Sequence, residues 1–145
     1  MSCEVRALVP LPFSANTVIR LVHAGLRRLG YSTRSTAVSV AFIDDRRMRE
    51  LNARYRGQRR TTDVLSFNGT GNDLGELIVS VPQARRQSRE YGTTLRDEIG
   101  LLVVHGLLHL AGFDHERPAD RKRMQALEHE LLSGRSLIRR AHEQA

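Results

Sequence analysis

The chain has 145 residues, of which 40% are hydrophobic and 27% are charged, and its formal net charge is +7. This length and composition predict one globular domain over residues 1–145, and they exclude a disordered or collagen-like chain. No apolar run approaches the roughly 18 residues of a membrane-spanning helix, and the single cysteine excludes an internal disulfide. We therefore expect a cytoplasmic protein that does not contact the membrane.

The basic residues are almost all of one type, since Lys122 is the only lysine among 23 lysines and arginines. Guanidinium groups bind phosphates in a bidentate geometry, and a positive chain attracts polyanions such as nucleic acids. A bias of the source genome toward arginine codons would produce the same excess. Composition favours a nucleic-acid partner without deciding between these explanations.

Hydrophobic periodicity predicts four strands and five helices. Strands are assigned where apolar and polar residues alternate, and helices where apolar residues recur every three or four positions after a capping residue. In chain order, the elements are a strand at 3–9, a helix capped by Ser14 or Asn16 that ends at Leu29, a strand at 37–43, a helix capped by Asp44 and Asp45, strands at 63–67 and 76–81, a helix from Pro82 to Tyr91, a helix capped by Thr93 or Thr94 that ends at Ala111, and a helix from Pro118 to Leu132.

The order of these elements indicates the fold class. Strands dominate the first half and helices gather at the end, which predicts an α+β fold with a small mixed four-stranded sheet packed against about five helices. The turn cluster at 68–73 is expected to join the last two strands as a hairpin. The second helix is expected to bury Met48, Leu51 and Tyr55 on one side.

Three of the six histidines fall within eleven residues, in the segment VVHGLLHLAGFDH. His105 and His109 lie four residues apart on the predicted fourth helix, so their rings share one face. Gly112 can end that helix in a left-handed conformation and let the chain bring His115 back to the same point. Three imidazoles with a fourth position open are typical of catalytic zinc sites. The spacing predicts one zinc ion per chain at the end of a buried helix.

Two neighbours of these histidines refine the prediction. The same spacing occurs in metzincin proteases, which carry a glutamate directly after the first histidine, whereas this chain has Gly106. Peptide hydrolysis by that route therefore lacks its base. Asp114 has two interpretations: it orients a histidine ligand, and so counts as a catalytic candidate, or it only fixes the turn.

Seven arginines and one acid, Glu50, lie between Arg46 and Arg60. The arginines nearest the end of this segment lie at a helix terminus and in the following loop, where they are candidates for binding substrate phosphates: Arg54, Arg56, Arg59 and Arg60. The alternative is a solvated helix face followed by a turn. Arg56 is also suited to stabilising the extra negative charge of a phosphorane-like transition state.

The segments HGLLHLAGFDH and LNARYRG…TTDVLSF, with LGELIVS between them, resemble the YbeY family of bacterial rRNA maturation factors. The resemblance covers about residues 40–135 and implies a single-strand-specific endoribonuclease of the cytoplasm that acts in 16S rRNA 3′-end maturation and ribosome quality control. It also implies zinc ligation by His105, His109 and His115, and a functional role for Arg56. Thr61 stands where the family usually has a proline, which loosens the loop after the second helix.

Three functions fit these observations. The first is a zinc-dependent endoribonuclease that acts on single-stranded RNA and associates with the small ribosomal subunit. The second is a metallopeptidase-like hydrolase, which a neutral or acidic surface around the histidines would favour. The third is a ribosome-assembly factor without catalysis, in which a fourth protein ligand closes the zinc site. The sequence does not indicate the oligomeric state.

Overall fold

A computed structural model describes residues 3–57 and 62–133. Its elements in chain order are β1 (Cys3–Ala7), α1 (Ala15–Arg28), β2 (Ala37–Ile43), α2 (Asp45–Arg56), β3 (Val64–Asn68), β4 (Asp73–Ser80), α3 (Val81–Tyr91), α4 (Leu95–Leu110) and α5 (Pro118–Ser133). The order and type of these elements confirm the predicted α+β fold.

The four strands form one mixed sheet in the order β1-β2-β4-β3. Strand β2 pairs in parallel with both β1 and β4, and β3 pairs antiparallel with β4. Parallel neighbours need a crossover connection, which α1 supplies between β1 and β2. The hairpin expected across the turn at 68–73 is confirmed, and it places β3 at the edge of the sheet.

Strand β4 begins at Asp73, three residues before the predicted start at Glu76. The turn is tighter than its composition suggests, because Asp73 N donates to Thr70 O at 3.0 Å and Gly69 N donates to Leu74 O at 3.1 Å. The ladder therefore continues to the edge of the turn. Gly75 permits this with a φ of +142°, and a Cβ there would lie 2.2 Å from the carbonyl oxygen of Phe67.

Each face of the sheet has its own apolar core, as the alternation of side chains along a strand requires. The larger core joins Val38, Val40 and Phe42 of β2 to α1, α3, α4 and α5. The smaller core lies under α2, where Met48 packs with Ala41 and other apolar residues of the sheet. Helix α4 lies at the centre of the larger core and packs against β3, β4, α1, α3 and α5.

Tyr55 corrects the expected burial of α2. Met48 is fully buried and Leu51 is half-buried, but Tyr55 is 58% exposed. Its ring packs edge-to-face with the ring of Phe67, with 5.1 Å between the ring centroids. The small core ends before the last turn of α2, so this turn and Arg56 extend beyond it. Within the described residues, no helix is long and apolar enough to span a membrane.

Candidate metal centre

Helix α4 carries the first two histidines of the predicted site. Thr94 caps its N-terminus by accepting a hydrogen bond from Asp97 N at 3.0 Å. His105 and His109 lie one turn apart and are half-buried, although the prediction placed them on a buried helix. The histidines are less buried than expected because this part of α4 packs against the edge strand β3. The face of α4 that carries His105 and His109 therefore borders a cavity.

Gly106 sets how closely α4 approaches the sheet. A Cβ at this position would lie 2.8 Å from Leu77 Cδ2 and 3.4 Å from Val64 Cγ2. A side chain at this position would therefore have to displace Leu77, which is fully buried. The base that metzincin proteases carry at this position is absent from the sequence, and the close packing disfavours a side chain here.

The turn after α4 returns the chain to the two histidines. Gly112 adopts a φ of +101°, a conformation that favours glycine and ends the helix. Asp114 then accepts a hydrogen bond from Glu116 N at 3.0 Å, while its own N–H donates to Asp120 Oδ2 at 3.0 Å. These bonds give Asp114 the turn-fixing role, and no hydrogen bond joins its carboxylate to a histidine ring of the described residues. The catalytic role assigned to Asp114 stays a prediction.

The three histidines converge on one point. The Nε2 atoms of His105 and His109 are 3.1 Å apart, and His115 Nδ1 lies 3.0 Å from the same atom of His109. All three candidate ligand atoms lie within 4.8 Å of one another, and no fourth His, Cys, Asp or Glu of the described residues joins the group. Three imidazole nitrogens at this spacing could hold a metal ion, because a shared cation would satisfy all three lone pairs.

Two interactions prepare the rings for this role. Burial, together with the neighbouring His105 and His115, lowers the pKa of His109, so this ring is neutral at pH 7. His105 Nδ1 lies 2.8 Å from Glu128 Oε2, and a carboxylate at this distance favours the tautomer with a proton on Nδ1. The lone pair of His105 Nε2 then points toward the other two histidines.

Glu128 is a functional candidate that the sequence analysis missed. It lies on α5 and is only 8% exposed, among the buried residues Leu127, Leu131 and Leu132. A carboxylate at a buried helical position needs a partner, and that was the signal available in the sequence. The residue it contacts, His105, is 23 positions away and only the tertiary structure identifies it.

A cavity of about 450 Å³ surrounds the histidines. Its other lining residues are Arg56, Thr62, Asp63, Val64, Ser66 and Asn68. The structure therefore brings Arg56, at the end of α2, to the same cavity as the three histidines. The sequence analysis did not connect Ser66 or Asn68 with the site, because they lie far from the histidines along the chain.

The other arginines of the basic segment lie elsewhere or outside the described residues. Arg54 lines a separate groove of about 400 Å³ on the α2 side of the sheet, together with Arg6 and Arg47. It does not share the histidine cavity, so its predicted contact with substrate would have to occur away from the histidines. Arg59 and Arg60 fall within 58–61, outside the residues that the structure describes.

Comparisons with known proteins identify the family of this chain. A model of the family "Endoribonuclease YbeY" matches residues 12–135. The endoribonuclease YbeY of Heliobacterium modesticaldum is 40% identical over 136 residues, which are 83% of this chain and 82% of that protein. The YbeY of Geobacillus thermodenitrificans is 41% identical over 116 residues, covering 70% of this chain and 74% of the relative.

Two further comparisons bear on length and fold. The YbeY of Myxococcus xanthus is 46% identical over 109 residues, which are 70% of this chain but only 37% of that longer protein. A protein of Thermotoga maritima solved in solution superimposes with a TM-score of 0.63 at 25% identity, covering 90% of this chain and 91% of that one. The family match confirms the prediction of an RNA-cleaving enzyme, and the chain belongs to the endoribonuclease YbeY family.

Proposed function

We propose that residues 1–145 form a single zinc-dependent domain that cleaves single-stranded RNA in the cytoplasm. Its proposed substrate is rRNA associated with the small ribosomal subunit, at the 3′ end of 16S rRNA, with a further role in ribosome quality control. The observation that carries this proposal is the convergence of His105, His109 and His115 in one cavity with Arg56.

His105, His109 and His115 would hold the zinc ion. When bound, zinc supplies a Lewis acid beside the scissile phosphate. The histidines are suited to it because three neutral imidazoles form the ligand set of catalytic zinc sites that keep one position for water or substrate. Glu128 holds the ring of His105 in place from the side opposite to its ligand atom.

Arg56 supplies the positive charge of the cavity. Its guanidinium binds a phosphate through two parallel hydrogen bonds and stabilises the additional negative charge as the phosphodiester is attacked. No ion pair or hydrogen bond joins the Arg56 side chain to another residue of the described chain, so its donors are available to a substrate. The role of Arg56 is therefore binding and charge stabilisation rather than support of the fold.

Two observations weigh against the alternative functions. The crowding at Gly106 disfavours a peptidase with the metzincin glutamate. A purely structural zinc site is closed by four protein ligands, and among residues 3–57 and 62–133 only three gather here. A zinc-dependent endoribonuclease needs neither a glutamate at position 106 nor a fourth protein ligand for the zinc ion.

The proposal is tested on protein purified without an affinity tag. We expect about one zinc per chain, cleavage of a labelled single strand, no cleavage of the matching duplex, and reversible loss of activity with a chelator. His109→Ala should lose both the metal and the activity, whereas the exposed His129 on α5 serves as a matched control whose alanine variant keeps both. A metal-free, folded preparation with full activity would refute the zinc-dependent mechanism.

The cellular role has its own test. Cells that lack this protein should accumulate 16S rRNA with an unprocessed 3′ end, and the wild-type chain should restore processing. The Arg56→Ala variant, expressed at the same level, should not restore it. Normal 3′ ends in cells without the protein would separate the enzyme from 16S maturation while leaving the cleavage activity intact.

A further inference from the structure

Strand β3 presents a free edge beside the histidine cluster. It is the last strand of the sheet and pairs only with β4 among the described strands. Edge strands expose main-chain donors and acceptors that can bind another extended chain. In this protein the exposed edge borders the cavity that contains Arg56 and the three histidines.

The register shows which residues of β3 face outward. Ser80 N donates to Asp63 O at 2.9 Å and Gly69 N donates to Leu74 O at 3.1 Å, at the two ends of the β3–β4 hairpin. Because hydrogen-bonded positions alternate along an antiparallel pair, the main-chain groups of residues 64, 66 and 68 point away from β4.

Of these outward positions, Ser66 is the one for which neither the main chain nor the side chain makes a hydrogen bond to a described residue. Val64 N–H is satisfied by Asp63 Oδ1 at 2.8 Å. The side chain of Asn68 donates to Leu110 O at 3.2 Å, which ties the edge of β3 to the end of α4. Ser66 is half-buried and lines the cavity, yet neither its hydroxyl nor its outward main-chain groups bond to a described residue.

An unpaired nucleotide carries the groups that would complement this edge. Proteins recognise single-stranded RNA through hydrogen bonds to the exposed edges of its bases and to the ribose 2′-hydroxyl. In a duplex, the pairing edges of the bases are already occupied. A strand edge that reads the pairing edges of the bases would therefore bind single strands selectively, and Arg56 in the same cavity favours a polyanion over a neutral chain.

We propose that the free edge of β3 binds one unpaired nucleotide of the RNA beside the histidine cluster, held by the main-chain N–H and the hydroxyl of Ser66. This inference rests on the proposed endoribonuclease function and adds the residue that selects single strands. Ser66 is in this sense a substrate-binding residue, and the selectivity comes from main-chain groups that only the sheet register exposes.

Two substitutions at Ser66 separate the hydroxyl from the main chain. Ser66→Ala removes only the hydroxyl and should weaken binding of a labelled single-stranded RNA by about three- to tenfold. Ser66→Pro also removes the outward N–H, which an edge strand tolerates because no ladder hydrogen bond is lost, and should weaken binding by about tenfold more. Ser39→Ala, in the central strand β2 and outside the cavity, is the matched control.

Binding is measured by fluorescence anisotropy at one fixed salt concentration, in an Arg56→Ala background that the parent and both variants share and in which cleavage is too slow to degrade the RNA during the measurement. Affinity for a blunt duplex of the same sequence should not change in either variant. A general loss of structure would lower both affinities, so unchanged duplex binding excludes it. The proposal is overturned if Ser66→Ala binds the single strand as tightly as its parent, or if single-strand and duplex affinities fall together.

Binding is compared only among variants that keep the melting temperature and the zinc content of their parent. If Ser66→Pro does not fold, Ser66→Ala alone decides the outcome, because alanine is compatible with an edge strand. The two proposals fail separately. A wild-type protein that does not cleave RNA contradicts the endoribonuclease function, whereas an active enzyme with unaltered single-strand binding in Ser66→Ala contradicts only the role of β3.

Discussion

The position of Arg56 bears directly on its proposed role in binding the substrate. It occupies the last turn of α2, where that helix extends past its small core, and it lines the histidine cavity without a protein partner among the described residues. A side chain that supports the fold would normally be packed or paired. The position of Arg56 is instead suited to binding substrate.

The Arg56→Ala variant should therefore lose activity without losing structure. We expect cleavage to slow by a factor on the order of 10²–10³, the usual cost of removing one group that stabilises charge in the transition state. Zinc content and melting temperature should stay nearly unchanged, and Arg56→Lys should recover only part of the rate because an ammonium group cannot form the bidentate contact.

Arg49→Ala is the matched control for this measurement, since Arg49 is exposed on the same helix and lines neither cavity. It should cleave RNA at the wild-type rate. A parallel fall of melting temperature and activity in Arg56→Ala, with recovery of both by lysine, would reject the assignment to the substrate.

The buried environment of Glu98 leads to a testable prediction about how stability depends on pH. It is 4% exposed in α4 and accepts hydrogen bonds from Gln87 Nε2 at 3.0 Å and Thr93 Oγ1 at 3.4 Å. Burial raises its pKa, and the two hydrogen bonds oppose that shift only in part. The folded state therefore binds a proton at Glu98 more readily than the unfolded state does.

The consequence is a loss of stability at higher pH. The contribution of Glu98 to the free energy of unfolding is most favourable below its unfolded pKa and declines as the pH rises through its folded pKa. Glu98→Gln cannot ionise, so its free energy of unfolding relative to wild type should increase between about pH 4 and pH 7. Urea unfolding of both proteins at the two pH values measures this, and a difference that is constant with pH would contradict the prediction.

Helices α4 and α5 both contribute to the candidate metal site. Helix α4 supplies His105, and α5 supplies Glu128, which is buried against it and fixes its tautomer. Ligand orientation from a neighbouring element is a common feature of zinc sites, and it makes metal affinity depend on how the two helices pack. The site is therefore not a property of the histidine motif alone.

Glu128→Gln should weaken zinc binding by about 10- to 100-fold, because the amide lacks the charge that polarises the His105 ring. Competition with a chromogenic zinc chelator measures the affinity directly, independent of activity. Glu130→Gln on the same helix is the matched control, since Glu130 is exposed and pairs with Arg28 instead of a histidine. Equal zinc affinity in wild type and Glu128→Gln would contradict the orienting role.

At the scale of the whole molecule, the basic segment is divided between two surfaces. Arg47 and Arg54 line the groove on the α2 side of the sheet, Arg46 lies 3.7 Å from Glu50, and Arg56 lines the histidine cavity. Because the two surfaces are separate, we expect a strand of RNA bound at the histidines not to contact Arg47 or Arg54. The net charge of +7 still attracts RNA over a longer range.

The salt dependence of RNA binding tests this division. Each phosphate contact with a single strand contributes about −0.7 to the slope of log K against log salt, so six contacts would give about −4 and three about −2. We expect a slope near the shallower value, unchanged in an Arg47→Ala/Arg54→Ala double variant. A slope near the steeper value that falls in the double variant would show that the RNA also follows the α2 groove.

Local sequence patterns were sufficient for the elements and for the convergence of the three histidines that could hold a metal ion. The alternation of residues 37–43 gives β2 its two faces, and the spacing of His105, His109, Gly112 and His115 is confined to one helix and one turn. Both depend on interactions within a few residues, which helical and strand periodicity describe directly. For the same reason the order of strands and helices indicated the α+β class.

Only the tertiary structure decided which distant residues complete the site. Glu128 reaches His105 from α5, and the histidine cavity is lined by Arg56 at the end of α2 and by Ser66 in the edge strand β3. Arg54 lines the other groove, although it lies two residues from Arg56. Successive residues on a helix point in different directions, so proximity along the chain does not imply a shared cavity. The convergence of the three histidines is local and was predictable, whereas their surroundings depend on how the sheet and the helices pack.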